Sequence, residues 1–92
     1  MITLADSFIV NNNKFISSGF GDEIMLMNLE SGDYIGLNTV CADLWRQLEN
    51  QTTAQELINY LLQNYNVEEN VCKAEALNCI EYMLEKGLLL KL

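Results

Sequence analysis

A chain of 92 residues, half of them hydrophobic, with 13 acidic against 5 basic residues and a net charge of -8, has the make-up of one small acidic folded domain rather than a disordered tail. Five Lys and Arg are too few to neutralise a run of phosphates, so nucleic acid and anionic membrane surfaces are poor partners, and a basic or amphipathic peptide is the better electrostatic match. No stretch reaches the ~18 consecutive apolar residues of a membrane span, the start Met1-Ile2-Thr3-Leu4-Ala5-Asp6 lacks the cationic residues of a signal peptide, and there is no proline-rich linker, so a single cytoplasmic domain over residues 1–92 is expected.

Along the chain, Phe8-Ile9-Val10 has the composition of a short strand, and Asn11-Asn12-Asn13 suits a turn because asparagine tolerates left-handed geometry and bonds its own backbone. Lys14–Ser18 is strand-like, and Gly19-Phe20-Gly21-Asp22 reads as a hairpin loop. In Glu23–Leu29 the pair Ile24 and Leu26, with Asn28, falls on one face and Met25, Met27 and Leu29 on the other, a strand partly covered on both sides. Glu30-Ser31-Gly32-Asp33 reads as a tight turn in which Gly32 supplies positive φ, and Asp33–Leu37 as the returning strand.

After Leu37 the apolar period changes from two to about 3.6. Asn38 stands as N-cap of a helix over 39–49, with Val40, Cys41, Leu44, Trp45 and Leu48 on its buried side. Asn50-Gln51-Thr52 breaks that helix, and Thr53-Ala54-Gln55-Glu56 matches a capping box opening a second helix whose stripe is Leu57, Ile58, Leu61, Leu62 and Tyr65. A third helix starts near Glu68-Glu69 and stops at Gly87, burying Ala76, Cys79, Ile80, Met83 and Leu84. Leu88-Leu89-Leu90 either ends that helix or forms a brief strand over the core. The sum is an α+β fold, compatible with a winged helix-turn-helix: an N-terminal three-stranded antiparallel sheet followed by three helices.

The chemistry-bearing residues are sparse. Without histidine the chain lacks the commonest general base and metal ligand, so no catalytic residue, metal or cofactor is expected. Cys41, Cys72 and Cys79 cannot all pair, and Cys72 and Cys79 lie about 10 Å apart along the predicted helix, beyond disulfide reach. Reduced, packed thiols are expected, and Cys41, the one nucleophile candidate, sits in an apolar stripe with no base to activate it. Trp45 reads as core and Tyr34 fits either strand face; Met25, Met27 and Met83 read as core filling before adaptable binding surface.

One block is more specific. Gly32-Asp33-Tyr34-Ile35-Gly36-Leu37-Asn38, followed by Cys41, Leu44-Trp45 and Leu48, then Thr53, Glu56-Leu57, Leu61, Tyr65 and Val67, then Glu75-Ala76, Ile80, Met83 and Gly87-Leu88-Leu89, resembles the PqqD-like family over roughly residues 8–90. Cys41 stands where the family often has glycine, and Cys79 where it is frequently aromatic, which bears on the fine shape of any groove. The resemblance implies a winged helix-turn-helix that recognises leader peptides of ribosomally made, modified precursor peptides, here in the free-standing form. It implies strand addition along Asp33, Tyr34, Ile35, Gly36 and Leu37, with leader side chains entering a groove beside Lys73, Leu77, Glu81, Leu84 and Glu85 of helix three.

In chemical terms, an open strand edge offers unpaired N–H and C=O groups for affinity, and alternate pockets for specificity. Gly36 would let another backbone approach closely, or would simply mark a bend before the helix; Leu77 and Leu84 are groove floor or ordinary core, and the acids a rim or a solvated face. The implied partners are a precursor leader peptide and a modifying enzyme such as a radical S-adenosylmethionine protein or a leader peptidase, with no nucleic acid and no membrane, the chain being a monomer or weak homodimer. The alternative is a winged-helix DNA-binding regulator with helix three as recognition helix. Against it, residues 68–87 carry Glu68, Glu69, Glu75, Glu81 and Glu85 beside only Lys73 and Lys86.

Overall fold

A computed structural model describes residues 2–92; Met1, the first residue of the start read above, lies outside the described residues. Its elements run β1 (Ser7–Val10), β2 (Phe15–Phe20), β3 (Glu23–Asn28), β4 (Tyr34–Leu37), α1 (Thr39–Gln47), β5 (Thr52–Thr53), α2 (Ala54–Asn64), α3 (Glu69–Glu85) and β6 (Leu89–Lys91). The strands form two antiparallel sheets, ordered β5-β1-β6 and β2-β3-β4. The second is the expected N-terminal sheet, and three helices follow it.

The β2-β3-β4 sheet is a meander made by two glycine turns. The strand-like run expected to stop at Ser18 continues to Phe20, which pairs with Glu23, so the anticipated four-residue loop contracts to Gly21-Asp22. Gly21 at φ 59° makes the short turn accessible, since two-residue hairpin turns demand positive φ that glycine adopts without strain. The second turn holds Gly32 at φ 78°. There Asn28 acts as a scaffold: its side-chain oxygen accepts from the Glu30 and Ser31 amides at 2.8 and 3.2 Å, and its own amide donates to the Asp33 carbonyl at 2.8 Å. Asp33 thus closes the turn, and β4 begins one residue later than expected, at Tyr34.

The helix boundaries follow their caps. Asn38 accepts from the Cys41 amide at 3.0 Å, and α1 ends at Gln47, short of the expected residue 49. Thr53 and Glu56 form the reciprocal capping box, each side chain accepting from the other's amide at 3.1 Å. Gly87, at φ 76°, ends α3 with its amide on the Leu84 carbonyl and the Leu88 amide on the Met83 carbonyl, the paired bonds of a Schellman motif. That reversal drops Leu88 and Leu89 into the core and turns the tail into β6, antiparallel to β1. The open choice at Leu88–Leu90 therefore resolves as a strand.

The core joins both sheets to all three helices: Phe8, Leu26, Leu37, Leu44, Leu57, Ile80, Met83 and Leu88 are fully buried, each such side chain contributing roughly 1.5–3 kcal/mol. Trp45 is core, as expected, and Met83 with it, whereas Met25 and Met27 are half-buried. Across the helices, the Tyr65 hydroxyl donates to the Asp43 carboxylate, a bond that pushes its pKa up to about 12. The three cysteines are free, Cys41 and Cys72 buried and Cys79 half-buried. No helix among the described residues is long and apolar enough to cross a membrane.

Candidate functional site

β4 lies at the end of its sheet, hydrogen-bonded to β3 on one side only. In the antiparallel register Ile24 faces Leu37, Met25 faces Gly36, Leu26 faces Ile35 and Met27 faces Tyr34. Because the Asn28 amide donates to the Asp33 carbonyl, turning that group inward, strict alternation makes Ile35 and Leu37 the residues whose backbone groups turn inward to β3. The N–H and C=O groups of Tyr34 and Gly36 turn outward and meet no strand of this sheet. The edge of β2 is open as well, with Phe15 buried on the core, and β4 combines its open edge with Ile35, half-buried against the same core.

Side chains alternate across the sheet. Ile35 and Leu37 share the core face, half-buried and buried, while Tyr34, 67% exposed, and Gly36 share the outer face. Gly36 has no positive φ, and a Cβ built there meets nothing within 4 Å. It lies within the paired strand and not at a bend, so nothing in the chain's own packing requires a glycine at this position.

The α3 residues divide in the same way. Leu77 and Leu84 are half-buried and rest on the core that also carries Ile35, whereas Lys73, Glu81 and Glu85 are exposed. α1 stands between the two elements, touching β4 and α3. At that contact the Cys79 thiol meets Cys41, and this hydrogen bond together with burial pushes the Cys79 pKa well up; burial likewise raises Cys72. Among the described residues no cluster of metal-ligating side chains occurs.

Two hollows border β4. A hollow of about 420 Å³ opens over the Gly36 end of the hairpin, lined by Glu23, Ile24, Met25, Gly36, Leu37 and Asn38. A second, of about 170 Å³, lies on the outer face between Ile16, Ser18, Met25, Met27 and Tyr34. Sequence reasoning looked for specificity beside α3 and did not single out Glu23 or Asn38 as lining residues; Met25, read there as core filling before binding surface, is half-buried on the outer face. The signal was available: Ile16-x-Ser18, Met25-x-Met27 and Tyr34-x-Gly36 fall on one face once the two turns are fixed.

The family model for coenzyme PQQ synthesis protein D (PqqD) matches residues 23–89, from the start of β3 into β6. The chain belongs to the PqqD family. No curated protein gives a match. Two solved structures resemble this PqqD-family chain in fold. One is TbiB1 in complex with the TbiA(beta) leader peptide, 23% identical, with a TM-score of 0.78 over 88% of this chain and 93% of the other. The other is lasso peptide synthetase B1 complexed with the leader peptide, 19% identical, with a TM-score of 0.77 over 90% and 96%.

Proposed function

We propose that this PqqD-family chain is a peptide-binding adaptor, which takes up the leader of a ribosomally made precursor as an added strand along β4 and presents it to a modifying enzyme without doing chemistry on it. The observation that carries the reading is the open β4 edge, with the Tyr34 and Gly36 backbone groups facing outward. Main-chain bonds to those groups supply affinity that is indifferent to sequence, and the side chains on either face supply choice. On this reading Ile35 of β4 and Leu77 and Leu84 of α3, each half-buried on the core, serve as apolar contacts, and the exposed Asp33, Glu81 and Glu85 as acidic ones, with Lys73 the single cation among these residues. A leader with hydrophobic anchors and flanking Lys or Arg fits that surface, and the net charge of -8 favours its approach.

Both structural relatives were solved with a leader peptide bound, which supports the same use of the shared fold. The enzyme that receives the peptide is, on this reading, a leader peptidase of a lasso-type pathway or a radical S-adenosylmethionine protein. The adaptor then works by effective concentration, holding the precursor where the enzyme can reach it. The exposed acids Glu69, Glu75, Glu81 and Glu85 on α3 weigh against duplex DNA in the same place.

The test is fluorescence anisotropy with a labelled synthetic leader of the short precursor encoded beside this gene. Saturable binding at micromolar or lower concentration is expected, weakened several-fold by Tyr34→Pro, which deletes one outward N–H. Absence of binding with and without the neighbouring modifying enzyme would remove the proposal.

A further inference from the structure

No residue of α3 lines the hollow over Gly36. Glu23, Met25 and Gly36 alternate onto the outer face of the sheet, Asn38, the cap of α1, closes the end of the hollow, and Ile24 and Leu37, whose side chains are buried on the core face, bound it from beneath. Residues paired across neighbouring strands share a face. A strand added along β4 therefore places the residue opposite Gly36 on the outer face, directly over this hollow. At about 420 Å³ the volume falls within the roughly 300–1,000 Å³ typical of ligand sites.

Resting on the strand-addition reading above, we infer that the hollow over Gly36 is a side-chain subsite for an aromatic residue of the incoming peptide, next to which the peptide carries Lys or Arg. Three observations converge on that chemistry. Gly36 has neither a positive φ nor a neighbour that would exclude a Cβ, so the fold tolerates a larger residue and the gap is free to receive something from outside. A ring laid across a strand glycine covers its bare backbone and replaces the cross-strand contact the glycine cannot make. Met25, half-buried and paired with Gly36, supplies a polarisable sulfur at the floor, a favoured neighbour of an aromatic edge. The rim is acidic: Glu23 lines the hollow and Asp22 precedes it, both exposed. A cation beside the ring matches that rim.

The subsite is separate from the α3 side of the edge, because successive residues of an added strand point to opposite faces. The edge would thus read its peptide on both sides, with apolar anchors toward Ile35 and α3 and a ring toward Gly36 and Met25.

Random twelve-residue peptides displayed on phage, selected against the full chain, test this. The enriched peptides are expected to share one aromatic position with an adjacent or next-but-one Lys or Arg. A synthetic copy with that aromatic changed to Ala should bind at least tenfold more weakly. Gly36→Val, with an unchanged unfolding midpoint, should bind the original at least tenfold more weakly and no longer distinguish it from the Ala copy. Met25→Ala should narrow the same distinction, and serves if Gly36→Val fails to fold. Enriched peptides without a fixed aromatic, or undiminished affinity for Gly36→Val, overturn the subsite while leaving strand addition in place. A selection that yields no binder at all overturns both.

Discussion

The sheet β5-β1-β6 ends in edges of two and three residues, the last of which carries Lys91, whereas β2-β3-β4 ends in edges of six and four residues, Phe15–Phe20 and Tyr34–Leu37, neither with a charge or a proline. Short, charged edges are how a sheet avoids pairing with strangers. The first sheet is built from segments far apart in sequence and buries Phe8 and Val10 at its centre; the second is a local meander with one face on the core and one in solvent. One sheet closes the fold, and the other remains open along both β2 and β4. The chain separates the two tasks, so substitutions in each should be read out in different assays.

The largest effect is expected in the closing sheet. Phe8→Ala, at a position with no exposed surface, should remove about 3–5 kcal/mol, a large part of the roughly 5–14 kcal/mol expected for a chain of this length, and urea unfolding will show it. Next comes a pair of prolines in β4. Ile35→Pro removes an inward amide and leaves the Leu26 carbonyl without its partner, at a cost of about 2 kcal/mol, whereas Tyr34→Pro removes an outward amide and should leave the urea midpoint almost unchanged. Equal destabilisation by the two would mean that the outward groups are already engaged, and the contrast between the sheets would collapse.

Thr53 belongs both to β5 and to the start of α2, and Thr53→Ala should lower stability by about 1 kcal/mol through loss of the cap. The smallest effect is electrostatic. Asp6 accepts from the Thr3 amide at 2.8 Å and pairs with Lys91 of β6 at 3.3 Å; the Thr3 bond first and then Lys91 hold its pKa below the usual carboxylate value of 3.8. Its contribution is therefore present above that value and fades as the pH falls through the lower folded-state pKa. Thermal unfolding followed from pH 6 to pH 2 should show a slight extra loss in the wild type that Asp6→Asn lacks, and identical slopes would show that the Asp6 link is without consequence.

Much of this architecture was legible because local chemistry decides it. Gly32 demanded a turn, Asn38 and Thr53-x-x-Glu56 announced two helix starts, and Gly87 announced a stop, each through a backbone group that needed one particular partner. The strand over residues 34–37 was legible for the same reason, whereas its expectation as an edge for strand addition came only from the resemblance. Hidden were β5, whose two residues carry no periodicity, and its union with β1 and β6, since pairing between distant segments leaves no local trace. Gly19 and Phe20 were read as loop because glycine count was weighed above position: Gly21 alone makes the turn, and Gly19 continues the strand. The outer-face hollow escaped notice because it depends on which residues share a face across three strands, and that requires both registers at once.

The union of β1 with β6 also sets an order of events during synthesis. Val10 pairs with Leu89 and Phe8 with Lys91, so the first strand waits unpaired on that side until β6, some eighty residues later, has been made. The meander that carries β4 needs only neighbours a few residues away and can close long before. The turns at Gly21 and Gly32 therefore set the register of β4 from local sequence, ahead of the distant pairing that joins β1 to β6.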